Sequence, residues 1–75
     1  MTLKEVIQKV EREFGGKVIG IGDCKDRWIF VFDWQQNALS SIVFCCYKDD
    51  YEIGYFFPSD EPGIFKSAEP IPLPE

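Results

Sequence analysis

The amino-acid sequence predicts a single α+β domain, in which an N-terminal helix packs on one face of a mostly antiparallel four-stranded sheet. The chain has 75 residues, enough for one core and too few for two. Apolar side chains recur at helical spacing up to Phe14, and four β-rich segments with short polar connections follow. Hydrophobic residues make up 45% and aromatic residues 16% of the chain, so even a small domain can form a core.

The predicted helix begins after Thr2 and ends at Gly15-Gly16. Thr2 and Glu5 have the spacing of a capping box, in which each side chain accepts a hydrogen bond from a free backbone N–H. Glycine ends helices because it adopts the left-handed conformation without steric cost. One apolar stripe, expected to face the sheet, consists of Leu3, Val6, Ile7, Val10 and Phe14.

Four strands are predicted, at residues 17–21, 27–34, 41–47 and 51–57. The connections between them, residues 22–26, 35–40 and 48–50, are short and polar. Such connections favour a meander in which consecutive strands pair as antiparallel neighbours.

The second strand has two apolar faces. Trp28, Phe30, Phe32 and Trp34 point one way, and we expect Phe30 and Phe32 to be core anchors beneath the helix. Arg27, Ile29, Val31 and Asp33 point the other way. Because Ile29 and Val31 are apolar, we expect this second face to be covered by the proline-rich tail, a second copy of the chain or a partner.

Residues 58–75 are predicted to be a loop and an extended tail of the same single domain, residues 1–75. Pro58, Pro62 and Gly63 interrupt regular structure, and Ile64-Phe65 adds at most one helical turn. The segment from Pro70 to Glu75 alternates proline with other residues, which limits it to extended or polyproline II conformations.

The net charge of −5 lies entirely in residues 47–75, because acids and bases balance in the rest of the chain. An acidic chain without a Lys/Arg cluster is a poor match for nucleic acid or an anionic membrane, whose binding depends on neutralising phosphates. No apolar run approaches the roughly 20 residues of a membrane helix. With no signal-peptide pattern, the sequence favours a cytoplasmic protein.

The residue types also argue against an enzyme. The chain has no histidine, so Cys24, Cys45 and Cys46 cannot complete a four-ligand Cys/His zinc site within one chain. They also lack the usual base that activates a catalytic cysteine. An odd cysteine count with two adjacent residues does not suggest a disulfide framework, so free thiols are expected. The glycine and acid spacings match neither a phosphate loop nor an EF-hand, and no cofactor, metal or catalytic residue is predicted.

Acids beside aromatic side chains suggest a surface for binding a protein partner that carries a basic surface. The candidate partner-binding residues are Asp49, Asp50, Glu52, Tyr55, Asp60 and Glu61. Three alternatives stay open: a solvated hairpin tip, a homodimer that buries the second sheet face, and a ligand-binding domain with an aromatic pocket lined by Trp28, Trp34 or Tyr55.

An N-terminal helix is followed by an aromatic strand that ends in an acid, a further strand, a turn of mixed charge and a Glu-Ile strand. The carriers are residues 27–33 (Arg-Trp-Ile-Phe-Val-Phe-Asp), 42–44 (Ile-Val-Phe) and 47–53 (Tyr-Lys-Asp-Asp-Tyr-Glu-Ile). This order of features resembles the YrhB-like immunity proteins of bacterial toxin systems. The resemblance implies a small bacterial cytoplasmic protein that binds and neutralises a partner, and it implies no catalytic residue.

Overall fold

Helix α1 spans Leu3–Phe14 in the computed structural model, which describes residues 1–35 and 42–74. The predicted capping box is confirmed: Glu5 N donates to Thr2 Oγ1 at 3.2 Å, and Thr2 N donates to Glu5 Oε1 at 3.1 Å. The helix ends where Gly15 and Gly16 take positive φ angles of 77° and 103°. The Gly15 N–H donates to the Glu11 carbonyl at 2.9 Å and closes the last turn.

The sheet has five strands, so the predicted number of four is wrong, although the α+β class and the antiparallel meander are confirmed. The meander consists of β1 (Val18–Asp23), β2 (Arg27–Phe32), β3 (Val43–Tyr47) and β4 (Ile53–Phe56). A fifth strand, β5 (Glu69–Ile71), pairs antiparallel with β1, which gives the order β4-β3-β2-β1-β5.

The C-terminal segment is more ordered than the prediction of a loop and extended tail. A 3-10 turn at Pro58–Asp60 and a short helix α2 (Ile64–Ser67) precede β5. Pro70 lies within β5, which is possible because β5 is an edge strand and proline is tolerated there. Residues 72–74 have no regular secondary structure, and Glu75 lies outside the described residues.

Two apolar clusters lie on opposite faces of the sheet. The helix-side core contains Val6, Ile7, Val10, Val18, Ile21, Phe30, Phe32, Phe44 and Cys46. The far-side core contains Cys24, Ile29, Val43, Cys45 and Phe56. Phe30 and Phe32 are therefore the anchors that the alternation predicts, and the adjacent Cys45 and Cys46 point to opposite faces.

The far side is covered by the chain itself. Ile64, Phe65 and Ala68, in and just after α2, pack against the far-side core. A Cβ atom at Gly22 would lie 2.7 Å from Ile29 Cγ1 and 3.4 Å from Ala68 Cβ, so this close approach requires glycine. The chain itself thus supplies the cover around Ile29 that the sequence left open between the proline-rich tail, a second copy and a partner.

The strand ends differ from the prediction in several places. β1 continues to Asp23 and β2 ends at Phe32, after which Asp33 Oδ1 accepts from Lys17 N at 3.2 Å. β4 begins at Ile53 because Tyr51 belongs to the preceding turn. Ser41 and the predicted connection at 36–40 lie outside the described residues.

Among residues 1–35 and 42–74, no helix has the length and apolar character that crossing a membrane requires.

Candidate functional site

The turn between β3 and β4 is held in a fixed shape. Tyr51 N donates to the Tyr47 carbonyl and Tyr47 N donates to the Glu52 carbonyl, both at 2.9 Å. Tyr51 has a φ of 58°, in the left-handed region that costs a non-glycine residue about 1–2 kcal/mol. Its ring stacks on Trp28 with centroids 6.2 Å apart, and its carbonyl accepts from Lys9 Nζ at 3.0 Å. These contacts stabilise the strained residue and fix the turn against α1 and β2.

Three predicted site residues, Asp49, Asp50 and Glu52, lie on this turn and are exposed. We call them the turn acids. Asp50 Oδ1 accepts from Glu52 N at 3.0 Å, so one carboxylate also shapes the turn. Within the described part of the chain, none of the ion pairs involves a turn acid. Their negative charge therefore faces solvent at one end of the sheet.

The neighbouring lysine is already engaged in its own contacts. Lys48 Nζ pairs with an Asp23 carboxylate oxygen and lies 5.4 Å from the centroid of the Trp28 ring. Its backbone N–H donates to the Asp26 carbonyl at 2.9 Å and ties the β3–β4 turn to the β1–β2 turn. Lys48, the cation nearest in sequence to the turn acids, thus stabilises the fold through contacts with other residues.

Glu61, also a predicted site residue, is paired with Arg27. Arg27 Nη1 lies 3.0 Å from Glu61 Oε2, and the other edge of the guanidinium donates two hydrogen bonds of 2.9 Å to Asp26. The guanidinium also lies over the rings of Tyr47 and Phe56, at 5.0 and 5.1 Å from their centroids. Glu61 therefore fastens the segment before α2 to the sheet.

The same contacts shift two pKa values. Hydrogen bonds with Asp26, and secondarily with Glu61, raise the pKa of Arg27 above its ordinary value. The hydrogen bond with Arg27 lowers the pKa of the Asp26 carboxyl. Arg27 is only 8% exposed, so these charged partners satisfy a cation that would be costly to bury alone.

Tyr55 lies on β4, on the helix side of the sheet, because its register partner Phe44 belongs to the helix-side core. Its side chain is 58% exposed, and that of Phe57, two residues on, is 50% exposed. The two rings meet edge to face with centroids 6.4 Å apart. Trp34, also half-exposed, packs edge to face on Phe44 at 5.7 Å.

The six predicted site residues thus lie at four separate places. The turn acids lie at one end of the sheet, Tyr55 lies on its helix side, and Glu61 lies on its far side with Arg27. Asp60 is exposed in the 3-10 turn, where its N–H donates to the Phe57 carbonyl at 2.9 Å. Phe57 was missed, although its position two residues after Tyr55 places both side chains on one face.

The two tryptophans do not line a common aromatic pocket. Trp28 lies near the start of β2 and Trp34 lies in the turn beyond its end, so the strand from Trp28 to Phe32, roughly 13 Å at the rise of a strand, separates them. The Trp28 ring stacks on Tyr51 and lies beneath the Lys48 ammonium group, while Trp34 Nε1 donates to the Gly15 carbonyl at 2.8 Å. A shallow groove of about 570 Å³ does lie beside Arg27, but the two acids that line it, Asp26 and Glu61, are paired with that arginine.

The three cysteines are free and buried. Burial raises the pKa of Cys24, Cys45 and Cys46, which keeps the thiols protonated at neutral pH and disfavours the reactive thiolate. Over residues 1–35 and 42–74, no group of three or more Cys, Asp or Glu side chains is arranged to hold a metal ion.

No protein-family model, no curated protein and no solved structure matches this chain. Function is therefore inferred from the geometry of the described surface and from the sequence pattern.

Proposed function

We propose that this protein is a small non-enzymatic binding module that neutralises a protein partner, as the YrhB-like resemblance implies, in a bacterial cytoplasm. The observation that carries the proposal is the β3–β4 hairpin. Its turn presents three exposed carboxylates, Asp49, Asp50 and Glu52, and its second strand leads to two half-exposed rings, Tyr55 and Phe57.

The aromatic rings supply the contact energy in this proposal. Large rings that are exposed in the free protein and buried in a complex are typical hot spots of protein interfaces. Tyr55 and Phe57 already pack against each other, so little side-chain freedom remains to be lost on binding. The turn held by Tyr51 and Trp28 adds to this pre-organisation.

The turn acids supply steering and orientation. Exposed charges act over about 8 Å at physiological ionic strength, and they accelerate encounter with a surface of opposite sign. The chain carries a net charge of −5, so the matching partner surface is basic. Glu61 is assigned to the structure in this proposal because its charge is paired with Arg27.

Non-enzymatic binding is favoured over catalysis by the state of the nucleophiles. All three thiols are buried with raised pKa values, and the sequence contains no histidine to act as a general base. The described carboxylates with lowered pKa values, Glu5 and Asp26, are engaged in the helix cap and the Arg27 pair.

The test uses two double variants with equal charge. Asp49→Asn with Glu52→Gln changes the turn, and Glu13→Gln with Glu69→Gln changes exposed acids elsewhere; each takes the net charge from −5 to −3. A partner recovered by affinity capture is purified, and its association rate is measured by surface plasmon resonance at low and high salt. We expect the turn variant to slow association and flatten its salt dependence, while the control variant retains most of both.

Equal effects of the two variants would show that the turn acids contribute only to overall charge. A sedimentation measurement on the unsubstituted protein separates the homo-oligomer alternative, because that alternative requires a dimer in the absence of any partner.

A further inference from the structure

We infer that the partner docks by adding an extended segment to the open edge of β4, as a sixth strand of the sheet. This inference rests on the proposed function and specifies how the same surface is used. In the part of the chain that the structure describes, β4 pairs with β3 on one side only and is the last strand of the sheet on the other.

The β3–β4 register shows which backbone groups face the open edge. Residues opposite each other alternate between hydrogen-bonded and non-hydrogen-bonded pairs in an antiparallel ladder. The hydrogen bond from Tyr47 N to the Glu52 carbonyl marks Tyr47–Glu52 as a bonded pair. Gly54 and Phe56, two and four residues on, therefore also direct their backbone groups toward β3. The backbone N–H groups of Ile53, Tyr55 and Phe57 point outward.

These outward groups form a short template for another strand. The Phe57 carbonyl already accepts from Asp60 N at 2.9 Å, which closes the template at its C-terminal end. Among residues 1–35 and 42–74, no backbone group pairs with the N–H and carbonyl groups of Ile53 and Tyr55 or with the N–H of Phe57, so these groups can accept another strand. An extended peptide can satisfy all of them at once, which is the basis of β-strand addition.

The two edges of this sheet differ in how they are protected. β5 carries Glu69 and Pro70, and two more prolines, Pro72 and Pro74, follow it. Proline and charge are the usual devices that prevent an edge strand from pairing with another chain. β4 itself reads Ile-Gly-Tyr-Phe and contains neither, and its flanking Glu52 and Pro58 lie outside the strand. The β5 edge is thus interrupted within the strand, whereas the β4 edge is continuous from Ile53 to Phe57, which is the pattern expected if β4 has a strand to receive.

The surroundings of β4 indicate the chemistry of the added segment. Asp49 and Glu52 lie at the start of β4, so the end of the added strand beside them carries Lys or Arg. Tyr55 and Phe57 flank the edge on the helix side, so every second residue of the added strand is apolar. A second copy of β4 fits poorly, because residues 52–60 contain no Lys or Arg that could lie beside the turn acids of the other copy.

The probe is a displayed library of random twelve-residue peptides, selected on the immobilised full-length chain. We expect enrichment of peptides in which apolar residues alternate and a basic residue lies near one end. With a selected peptide bound, amide hydrogen exchange is expected to slow at Ile53, Tyr55 and Phe57, and to change little at Gly54 and Phe56, which already bond to β3.

A matched pair of variants isolates the backbone contribution. Tyr55→Thr removes the ring and keeps the outward N–H, whereas Tyr55→Pro removes both and leaves the β3 ladder bonds of Gly54 and Phe56 in place. We expect Tyr55→Pro to bind the peptide about tenfold more weakly than Tyr55→Thr, because a peptide carbonyl loses its donor. Circular dichroism checks that both variants fold.

The outcomes separate the docking mode from the proposed function. Equal affinity of the two variants, or unchanged exchange at the three outward amides, overturns strand addition, and the proposed function stands if binding still depends on the turn acids. A selection that enriches no such peptide also overturns strand addition. Dimerisation that Tyr55→Pro abolishes assigns the edge to a second copy and overturns the inference of a foreign partner.

Discussion

Shortening Phe32 to alanine is expected to remove about half or more of the stability of this domain. Phe32 is 0% exposed and lies in the helix-side core. Its ring centroid is 5.4 Å from that of Phe44, 5.6 Å from that of Trp34 and 6.2 Å from that of Phe14. Phe30, two residues earlier on the same strand and face, is 1% exposed and has none of the described aromatic ring pairs. It is therefore a matched control for burial without aromatic pairing.

The magnitude follows from the cavity and the lost ring pairs. Removing a buried phenyl group costs about 3–5 kcal/mol, and each aromatic pair adds about 0.5–1.5 kcal/mol. We expect about 3.5 kcal/mol for Phe30→Ala and about 5 kcal/mol for Phe32→Ala, because three pairs at the low end add about 1.5 kcal/mol. A 75-residue domain has a total of about 4–11 kcal/mol, so Phe32→Ala removes between about half of the stability and all of it.

The assay is urea denaturation followed by tryptophan fluorescence, which reports on the core because Trp34 stacks on Phe32. Phe30→Leu and Phe32→Leu remove the ring and leave a smaller cavity than alanine does, so they form a second comparison that survives if the alanine variants unfold. Phe32→Leu is expected to melt about 6–12 °C below Phe30→Leu, since 1 kcal/mol corresponds to about 4–8 °C at this size. Equal losses at the two positions would refute the assignment of extra stability to the aromatic pairs.

Three further predictions concern the cap, the buried arginine and the thiols. Thr2→Ala should lower the free energy of unfolding by about 1 kcal/mol, measured by urea denaturation, because the helix loses its capping box. The pKa of Asp26 is lower in the folded state than in the unfolded state. Its carboxylate therefore adds to the free energy of unfolding above the unfolded pKa of about 3.9, and this addition is lost as the pH falls from there through the folded-state pKa. Denaturation across that range should show an acid-induced loss of stability that Arg27→Met reduces, while the share due to Glu5 in the helix cap remains, and a loss unchanged by this substitution would contradict the assignment. Cys45 and Cys46 should react with a thiol reagent only as fast as the protein unfolds, and one rapidly reacting equivalent would count against their burial.

The elements with a strong local signal could be predicted from the sequence. The apolar stripe, Thr2 and Gly15 determine α1 within a few residues, and alternation along residues 27–34 assigns Phe30 and Phe32 to the helix side. These features depend on residues that are close together in the chain, so the local sequence pattern predicts them.

The fifth strand could not be predicted in the same way. β5 exists because Ile71 and Ile21, fifty positions apart, are register partners, and a local pattern contains no information about that distance. Its prolines also argue against a strand in general, and an edge position is what makes Pro70 acceptable. Tertiary pairing overrides local propensity here.

The candidate site also contains features that the local sequence predicts and features that depend on residues far apart in the chain. Exposure of the turn acids follows from a polar turn between two strands. One feature of the sequence indicates that Arg27 needs an acidic partner. Arg27 shares an apolar face of the strand with Ile29, and a cation on such a face needs a counter-ion, which Glu61 supplies. The sequence could not say which of the acids would fill that role.

The closure of the sheet by β5 has a consequence for synthesis of the chain. α1 and the first four strands leave the ribosome before residues 64–71, which cover the far side and pair with β1. During that interval the nascent meander exposes Ile29, Val43 and Phe56 and an unpaired β1 edge, the surfaces that chaperones recognise and that promote aggregation. Stalling or cleavage in the segment that follows Phe57 would leave a product that has a helix-side core and cannot bury its other face.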